Sequence, residues 1–283
     1  MADVEVAGGR VSRWGEGPVW WEGALWHVDI EGCAVCRCEP GRGIEQAWDV
    51  GERVGVIVPR ESGGWVLAGD RGFHFFDPAT GATRPICDPE AGLPDNRFND
   101  GRCSPDGRFF AGTMSCVRER HAARLYRLDP DLACHEVFGP VTTSNGIVWS
   151  ADGGTVWYID TPRREVLAFD YAGGRLTNMR SAFGTGHLDA SPDGMAIDAG
   201  GNLWIAFCHG GCVACFDPAS GRELARVAVP CRETTACAFG GPGLGELYVT
   251  TGINPDRPEP LAGRLFVARG LGVRGVATHA FAG

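Results

Sequence analysis

One unit recurs along this chain and restricts the folds open to it. A polar side chain precedes a glycine, a short apolar run follows, and a tight turn leads into a second apolar run. The clearest copies begin at Asn99-Asp100-Gly101, Ser144-Asn145-Gly146 and Pro192-Asp193-Gly194. Their turns are Ser104-Pro105-Asp106-Gly107, Asp152-Gly153-Gly154 and Gly200-Gly201. Paired apolar runs around Gly and Asp-Gly turns are the sequence mark of β-hairpins. Three further hairpins lie at Gly17–Asp29, Gly55–Ala68 and Ala236–Thr251, so that hairpins return about every 40 to 50 residues.

Each hairpin leads on to more strand. Gly72–Pro78, Arg124–Pro130, Glu165–Asp170 and Cys212–Pro218 are apolar runs that end at an Asp or Asp-Pro turn. A fourth, outer strand fits after each, as at Glu223–Val229. Four short strands repeated six times predict an all-β, six-bladed β-propeller with four-stranded blades, formed as one domain by residues 1–283. No segment keeps apolar residues at helical spacing over four turns. Val4-Glu5-Val6 and Gly275–Phe281 are both available to complete the last blade. The longest irregular stretches, 112–123 and 178–192, are expected on a face of the disc.

Composition narrows the function. With 26 Lys and Arg against 35 Asp and Glu, the net charge is −9 and no basic stripe appears, which excludes nucleic acid and anionic membranes as natural partners. No basic-then-apolar leader opens the sequence, and no apolar run approaches the ~18 residues of a membrane span. A cytoplasmic protein is expected, and a monomer, because closed propellers leave few free strand edges. The 12 Cys include two clusters, Cys33/Cys36/Cys38 and Cys208/Cys212/Cys215. Neither has a second pair at zinc-finger spacing, so buried small thiols on strands are expected rather than a zinc site.

A propeller brings the start of each innermost strand to a central channel. Read by blade, these starts offer Glu16, nothing charged near Gly55, Asn99 with Asp100, Asn145, Asp193, and Thr234 with Thr235. The spacing keeps phase: 46 residues separate Asn99 from Asn145, and 48 separate Asn145 from Asp193. Carboxylates and an amide converging on one axis form an oxygen cage of the kind that holds a hard divalent ion such as Ca²⁺, Mg²⁺ or Mn²⁺. Asp106-Gly107 and Asp152-Gly153 lie inside hairpins and are read as turns.

Gly15-Glu16-Gly17-Pro18-Val19-Trp20, Arg97-Phe98-Asn99-Asp100-Gly101, Ala111-Gly112-Thr113-Met114, Ser144-Asn145-Gly146 and Pro192–Asp198 together resemble the regucalcin (senescence marker protein)/gluconolactonase family. The resemblance covers essentially the whole chain. It implies a six-bladed propeller with one divalent metal, for which Ca, Mn, Mg, Zn and Fe(II) are all open. Carried over, the metal ligands are Glu16, Asn145 and Asp193. Arg97 and Asn99 contact a small-molecule sugar lactone, and Asp193 is also the general base. The implied reaction opens an aldonolactone to its acid. A calcium-binding regulatory protein without essential turnover and a scaffold for a protein partner are the alternatives. Relatives that handle hexonolactones often carry acidic residues after Gly-Thr-Met, whereas Ser115-Cys116-Val117 stands here. His27, His74 and His209 are expected to be packed or exposed rather than catalytic, and Trp20, Trp149 and Trp204 to be core. A structural pairing of Arg97 with Asp95 or Asp100 is the competing reading of that residue.

Overall fold

The computed structural model describes residues 3–283. Twenty-four strands form six antiparallel sheets of four, each one blade of a six-bladed β-propeller. The innermost strands are β2 (Gly15–Trp21), β6 (Val54–Pro59), β10 (Asn96–Cys103), β14 (Ser144–Trp149), β18 (Ser191–Ile197) and β22 (Thr234–Gly240). They are almost wholly buried, while outer strands such as β5 (Ile44–Asp49) and β21 (Glu223–Ala228) face solvent. Apolar clusters fill the space between neighbouring blades, for example Val148, Met195 and Phe207 between the fourth and fifth. Among the described residues the only helical segments are two 3₁₀ turns, Thr161–Arg163 and Pro242–Leu244. No helix is long and apolar enough to cross a membrane.

The N-terminal segment closes the ring. Strand β1 (Asp3–Val11) pairs antiparallel with β24 (Arg264–Arg269), giving the last blade the order β1-β24-β23-β22, where β23 is Glu246–Thr251. First and last parts of the chain thus share one sheet, and opening the ring requires breaking that ladder. The C-terminal segment does something else. It crosses one end of the channel, past the far ends of the inner strands. Ala199 N donates to Arg274 O at 2.8 Å, Thr278 Oγ1 to Trp20 O at 3.2 Å, Phe281 N to Pro59 O at 2.8 Å, and Ala282 N to Gly107 O at 2.9 Å. Beneath it lies a cavity of about 20 Å³ lined by Asp100, Arg102, Gly194 and His279. With this end covered, the channel is approached from the end where the inner strands begin.

The expected loop at 178–192 is shorter than the sequence suggested. Residues 178–184 belong to β17 (Arg175–Gly184), an outer strand whose side chains are mostly exposed. Such a strand shows no apolar alternation, so its pattern resembles that of a loop. The other irregular stretch contracts to 116–122, between β11 (Phe109–Ser115) and β12 (Ala123–Leu128).

Phe281 is completely buried in the cluster shared by the second and third blades. Phe281→Ala should therefore cost about 3–5 kcal/mol of stability. Urea unfolding would measure it, and a loss below about 1 kcal/mol would show that the tail is not part of the core.

Candidate metal and substrate site

The glycine that follows each polar residue explains why the site residues fall where they do. A Cβ on Gly194 would lie 2.4 Å from Ala236 Cβ, and one on Gly146 would lie 2.6 Å from Met195 Cβ and 2.9 Å from Asp193 O. Only glycine lets adjacent inner strands approach this closely. At the same phase the ladder between innermost strand and neighbour breaks register in all six blades. The breaks fall between Glu16 and Val19, Val54 and Val56, Phe98 and Asp100, Asn145 and Ile147, Pro192 and Met195, and Thr234 and Ala236. Such bulges bend a strand and re-aim a side chain. Here they occur where Glu16, Asn99, Asp100, Asn145, Asp193, Thr234 and Thr235 stand, all of them buried.

The carboxyl groups sense one another. Burial pushes Glu16 well above the usual carboxylate range, and the charges of Asp193 and Asp100 push it further. Asp193 is raised well above its ordinary value by burial and by Asp100. Burial also raises Asp100, which Arg102 opposes. Three buried carboxyls with too little positive charge between them are unfavourable as three anions. Backbone amides relieve part of this: Gly17 N donates to Glu16 Oε2 at 3.0 Å, and Gly101 N to Asp100 Oδ1 at 2.7 Å.

The amides are held in a chain of hydrogen bonds that runs across three blades. Arg97 Nη1 donates to Phe98 O at 2.9 Å and to Asn99 Oδ1 at 2.8 Å. Asn99 Nδ2 donates to Ser144 O at 2.7 Å and to Asn145 Oδ1 at 3.2 Å. Asn145 Nδ2 donates to Thr161 Oγ1 at 2.7 Å, and Thr161 Oγ1 donates to Pro192 O at 2.9 Å, next to Asp193. Asn145 Oδ1 keeps a second lone pair for a cation. Glu90 steadies the start of β10: Asn96 Nδ2 donates to its Oε2 at 2.9 Å, and Thr113 and Tyr126 hydroxyls donate to its Oε1, each at 3.0 Å.

Arg97 is buried and, among the described residues, forms no ion pair; neither Asp95 nor Asp100 partners it. A buried guanidinium without a carboxylate is costly. It retains N–H donors for an incoming oxygen. Its register partner on β11 (Phe109–Ser115), Met114, lines a cleft of about 510 Å³ together with Ser115, Arg118, Arg120 and Ser191. Acidic side chains expected after Gly-Thr-Met are absent there, and two arginines occupy the rim. His187 stands exposed on the loop after β17.

Residues 14–253 match the SMP-30/Gluconolactonase/LRE-like region. The chain belongs to this family. It is 39% identical to regucalcin of Xenopus laevis over 99% of this chain and 98% of that protein. It is 38% identical to human regucalcin over 96% and 95% of the two chains. A calcium-binding regucalcin from Agrobacterium tumefaciens superposes with a TM-score of 0.93 at 25% identity, covering 99% of this chain and 97% of that one. Within this SMP-30/gluconolactonase chain, the residues expected at the site, Glu16, Arg97, Asn99, Asn145 and Asp193, all lie in the first halves of inner strands. The sequence reading missed Thr161, whose role comes only from the fold. It also missed Glu233, which meets Cys208 and His209 from a distant part of the chain.

The remaining cysteines follow expectation in part. All twelve are free thiols, and Cys36, Cys38, Cys212 and Cys215 are buried on strands. Cys33 sits at a turn with φ of 53°. His27 and His74 are buried; Trp149 and Trp204 are core, while Trp20 stacks on Tyr248 at 5.4 Å.

The carboxyl crowding has a measurable sign. Asp193 has its proton affinity raised by folding, so its contribution to stability is present below about pH 4 and is lost as pH rises through the raised folded value. In chelator at pH 7, Asp193→Asn should be more stable than the parent by about 2 °C or more in Tm. That advantage should shrink as pH falls toward about 4, and saturating Ca²⁺ should reverse the order. Thermal melts in chelator showing the parent more stable at pH 7 would contradict the crowding.

Proposed function

We propose that this chain is a metal-dependent lactonase that opens sugar-acid lactones to the free acids, with Glu16, Asn145 and Asp193 holding one divalent cation. The donor set fits the ion: two carboxylates and an amide oxygen are hard ligands, and a cation would offset the charge that burial and proximity make unfavourable. Calcium is the first choice, since the Agrobacterium relative is described as calcium-binding. The observation that favours turnover over calcium binding alone is Arg97. A regulatory calcium protein has no need for a buried, ion-pair-free guanidinium beside its ion, whereas a hydrolase uses one to hold a polar substrate.

When bound, the cation polarises the lactone carbonyl and acidifies water nearby. The chain's own groups do the rest. Arg97 remains protonated and directs its free N–H groups to a lactone oxygen, fixing the ring in the cleft. Asn99 holds Arg97 through Oδ1 and Asn145 through Nδ2, so the substrate-binding and cation-binding halves keep one geometry. Asp193 takes the proton of the attacking water at a carboxylate oxygen. The water oxygen bonds to the carbonyl carbon, the ring C–O bond breaks, and Asp193 passes the proton it took to the ring oxygen, leaving the hydroxy acid. Arg118 and Arg120 offer hydrogen-bond donors at the rim, where the sugar hydroxyls or a second acidic group of the substrate would be read.

A pH-stat assay with glucono-, galactono-, xylono- and arabinono-lactones tests this, each with added metal and with chelator. Hydrolysis that depends on metal is expected for at least one. Asp193→Ala should abolish it. Arg97→Ala should raise KM by about 10- to 100-fold, the worth of charge-assisted hydrogen bonds of about 1.5–3 kcal/mol, with calcium still bound. Calcium binding with no turnover on any lactone would favour the regulatory reading, and an ordinary KM in Arg97→Ala would assign that residue a structural part.

A further inference from the structure

Strand β19 (Leu203–Cys208) ends at Cys208, and the chain turns back through His209-Gly210-Gly211 into β20 (Cys212–Phe216). Just ahead of β22, Glu233 forms an isolated antiparallel bridge with Cys208. These contacts bring three unlike donors together. Cys208 Sγ lies 3.2 Å from Glu233 Oε2, and His209 Nδ1 lies 2.7 Å from the same oxygen. Sulfur and imidazole nitrogen are 3.9 Å apart. The other carboxylate oxygen, Oε1, accepts from Asn254 Nδ2 at 2.8 Å. Cys208 and Glu233 are buried, whereas the His209 side chain is 55% exposed. His209 also holds a left-handed backbone, φ 67°, in a turn whose next two residues are glycines. A glycine there would be free of that strain.

We propose that Cys208, His209 and Glu233 form a second cation site, for one zinc-like divalent ion, made of a different residue set from the oxygen cage on the axis and adjacent to it, since Cys208 pairs in register with Ser191, two residues before Asp193. Tetrahedral zinc, with bonds of about 2.3 Å to sulfur and about 2.05 Å to nitrogen or oxygen, sets sulfur about 3.5 Å from the other donors and nitrogen about 3.3 Å from oxygen. The observed separations of 3.2, 3.9 and 2.7 Å lie within about 0.6 Å of that figure, a change that side-chain rotation supplies. Without an ion, the Cys208 thiol donates to Glu233. On binding, the S–H bond breaks, the sulfur lone pair goes to the metal and the proton leaves to solvent. Asn254 fixes the carboxylate from behind, as outer partners of metal ligands do. Three protein ligands leave a fourth position for water or a substrate oxygen. The exposed imidazole gives the ion its way in.

Thiolate and imidazole select zinc, cobalt or cadmium over calcium and magnesium. The two sites therefore take different cations, and neither residue set depends on the lactonase reading. The purely structural alternative is a hydrogen-bonded Cys–Glu–His cluster that seals the end of the fifth blade.

Cobalt(II) distinguishes the two. Titration of the full chain with Co²⁺ should give intense tetrahedral visible bands and a thiolate-to-cobalt charge-transfer band in the near ultraviolet, saturating at one equivalent and bleached by Zn²⁺. The charge-transfer band should persist in Asp193→Asn and in Cys116→Ser, and vanish in Cys208→Ser. His209→Ala, a change at a half-exposed side chain that leaves the core intact, should weaken Co²⁺ binding at least about tenfold. Only weak octahedral bands in the parent protein would overturn the site. A charge-transfer band that survives Cys208→Ser, or Co²⁺ affinity unchanged in His209→Ala, would do so as well.

Discussion

The meeting of Glu16, Asp100 and Asp193 at the axis is the constraint on which the site depends. Glu16 and Asp193 come from the first residues of their inner strands and Asp100 from the middle of its own, and each is buried. A propeller places six such strand starts around one channel. Whatever side chains stand at that phase are forced together, whether or not their charges agree. Here the charges disagree, and burial raises the penalty. The ring cannot relax to separate them, because β1 pairs with β24 in the last blade and the tail ties the far ends of the inner strands. Electrostatic strain at the axis is thus stored by closure at the periphery. A divalent cation is the simplest means of relieving it.

The amides and hydroxyl that join Arg97 to the carboxyls form a relay of positions rather than of charge. From Arg97 to Asn99 the chain of bonds stays on β10, and each later link, through Asn145 and Thr161 to the carbonyl of Pro192, crosses to a new element. Each amide spends its donors on fixed partners, and the Asn145 oxygen, which accepts from Asn99, keeps a second lone pair. A displacement of one blade would therefore be felt in the next two. This explains how side chains from three blades can keep one geometry about the axis.

Much of this was legible in the sequence, for a physical reason. Inner strands are buried on both faces and carry turn residues at fixed phase, so Glu16, Asn145 and Asp193 stand out by period alone. The glycines after Asn145 and Asp193 are required by strand approach distances, the one after Glu16 by a left-handed φ of 52°, and they make the motif visible. Outer strands carry no such signal: Arg175–Gly184 is mostly exposed, and its later part, residues 178–184, was legible only as irregular chain. The two candidates for ring closure were indistinguishable by pattern, since both are short alternating segments; the hydrogen-bond ladder to β24 decides for the N-terminal one. Thr161 and Glu233 were invisible for another reason. Their partners are set by long-range folding, and neither sits in a repeat-phased position. Cys208 was visible only as one of a cysteine cluster, whereas its neighbours in space are a histidine and a glutamate.

The central claim is that the axis is a cation site made of Glu16, Asn145 and Asp193. Diffraction from Mn²⁺-soaked crystals, recorded at the manganese edge, tests it without reference to any substrate. Manganese prefers oxygen ligands and gives an anomalous peak that calcium gives only weakly. The account predicts one strong peak on the axis, within bonding distance of a carboxylate oxygen of Glu16, of Asn145 Oδ1 and of a carboxylate oxygen of Asp193. A peak elsewhere with none on the axis, or three carboxyls found with no ion at saturating manganese, would contradict it.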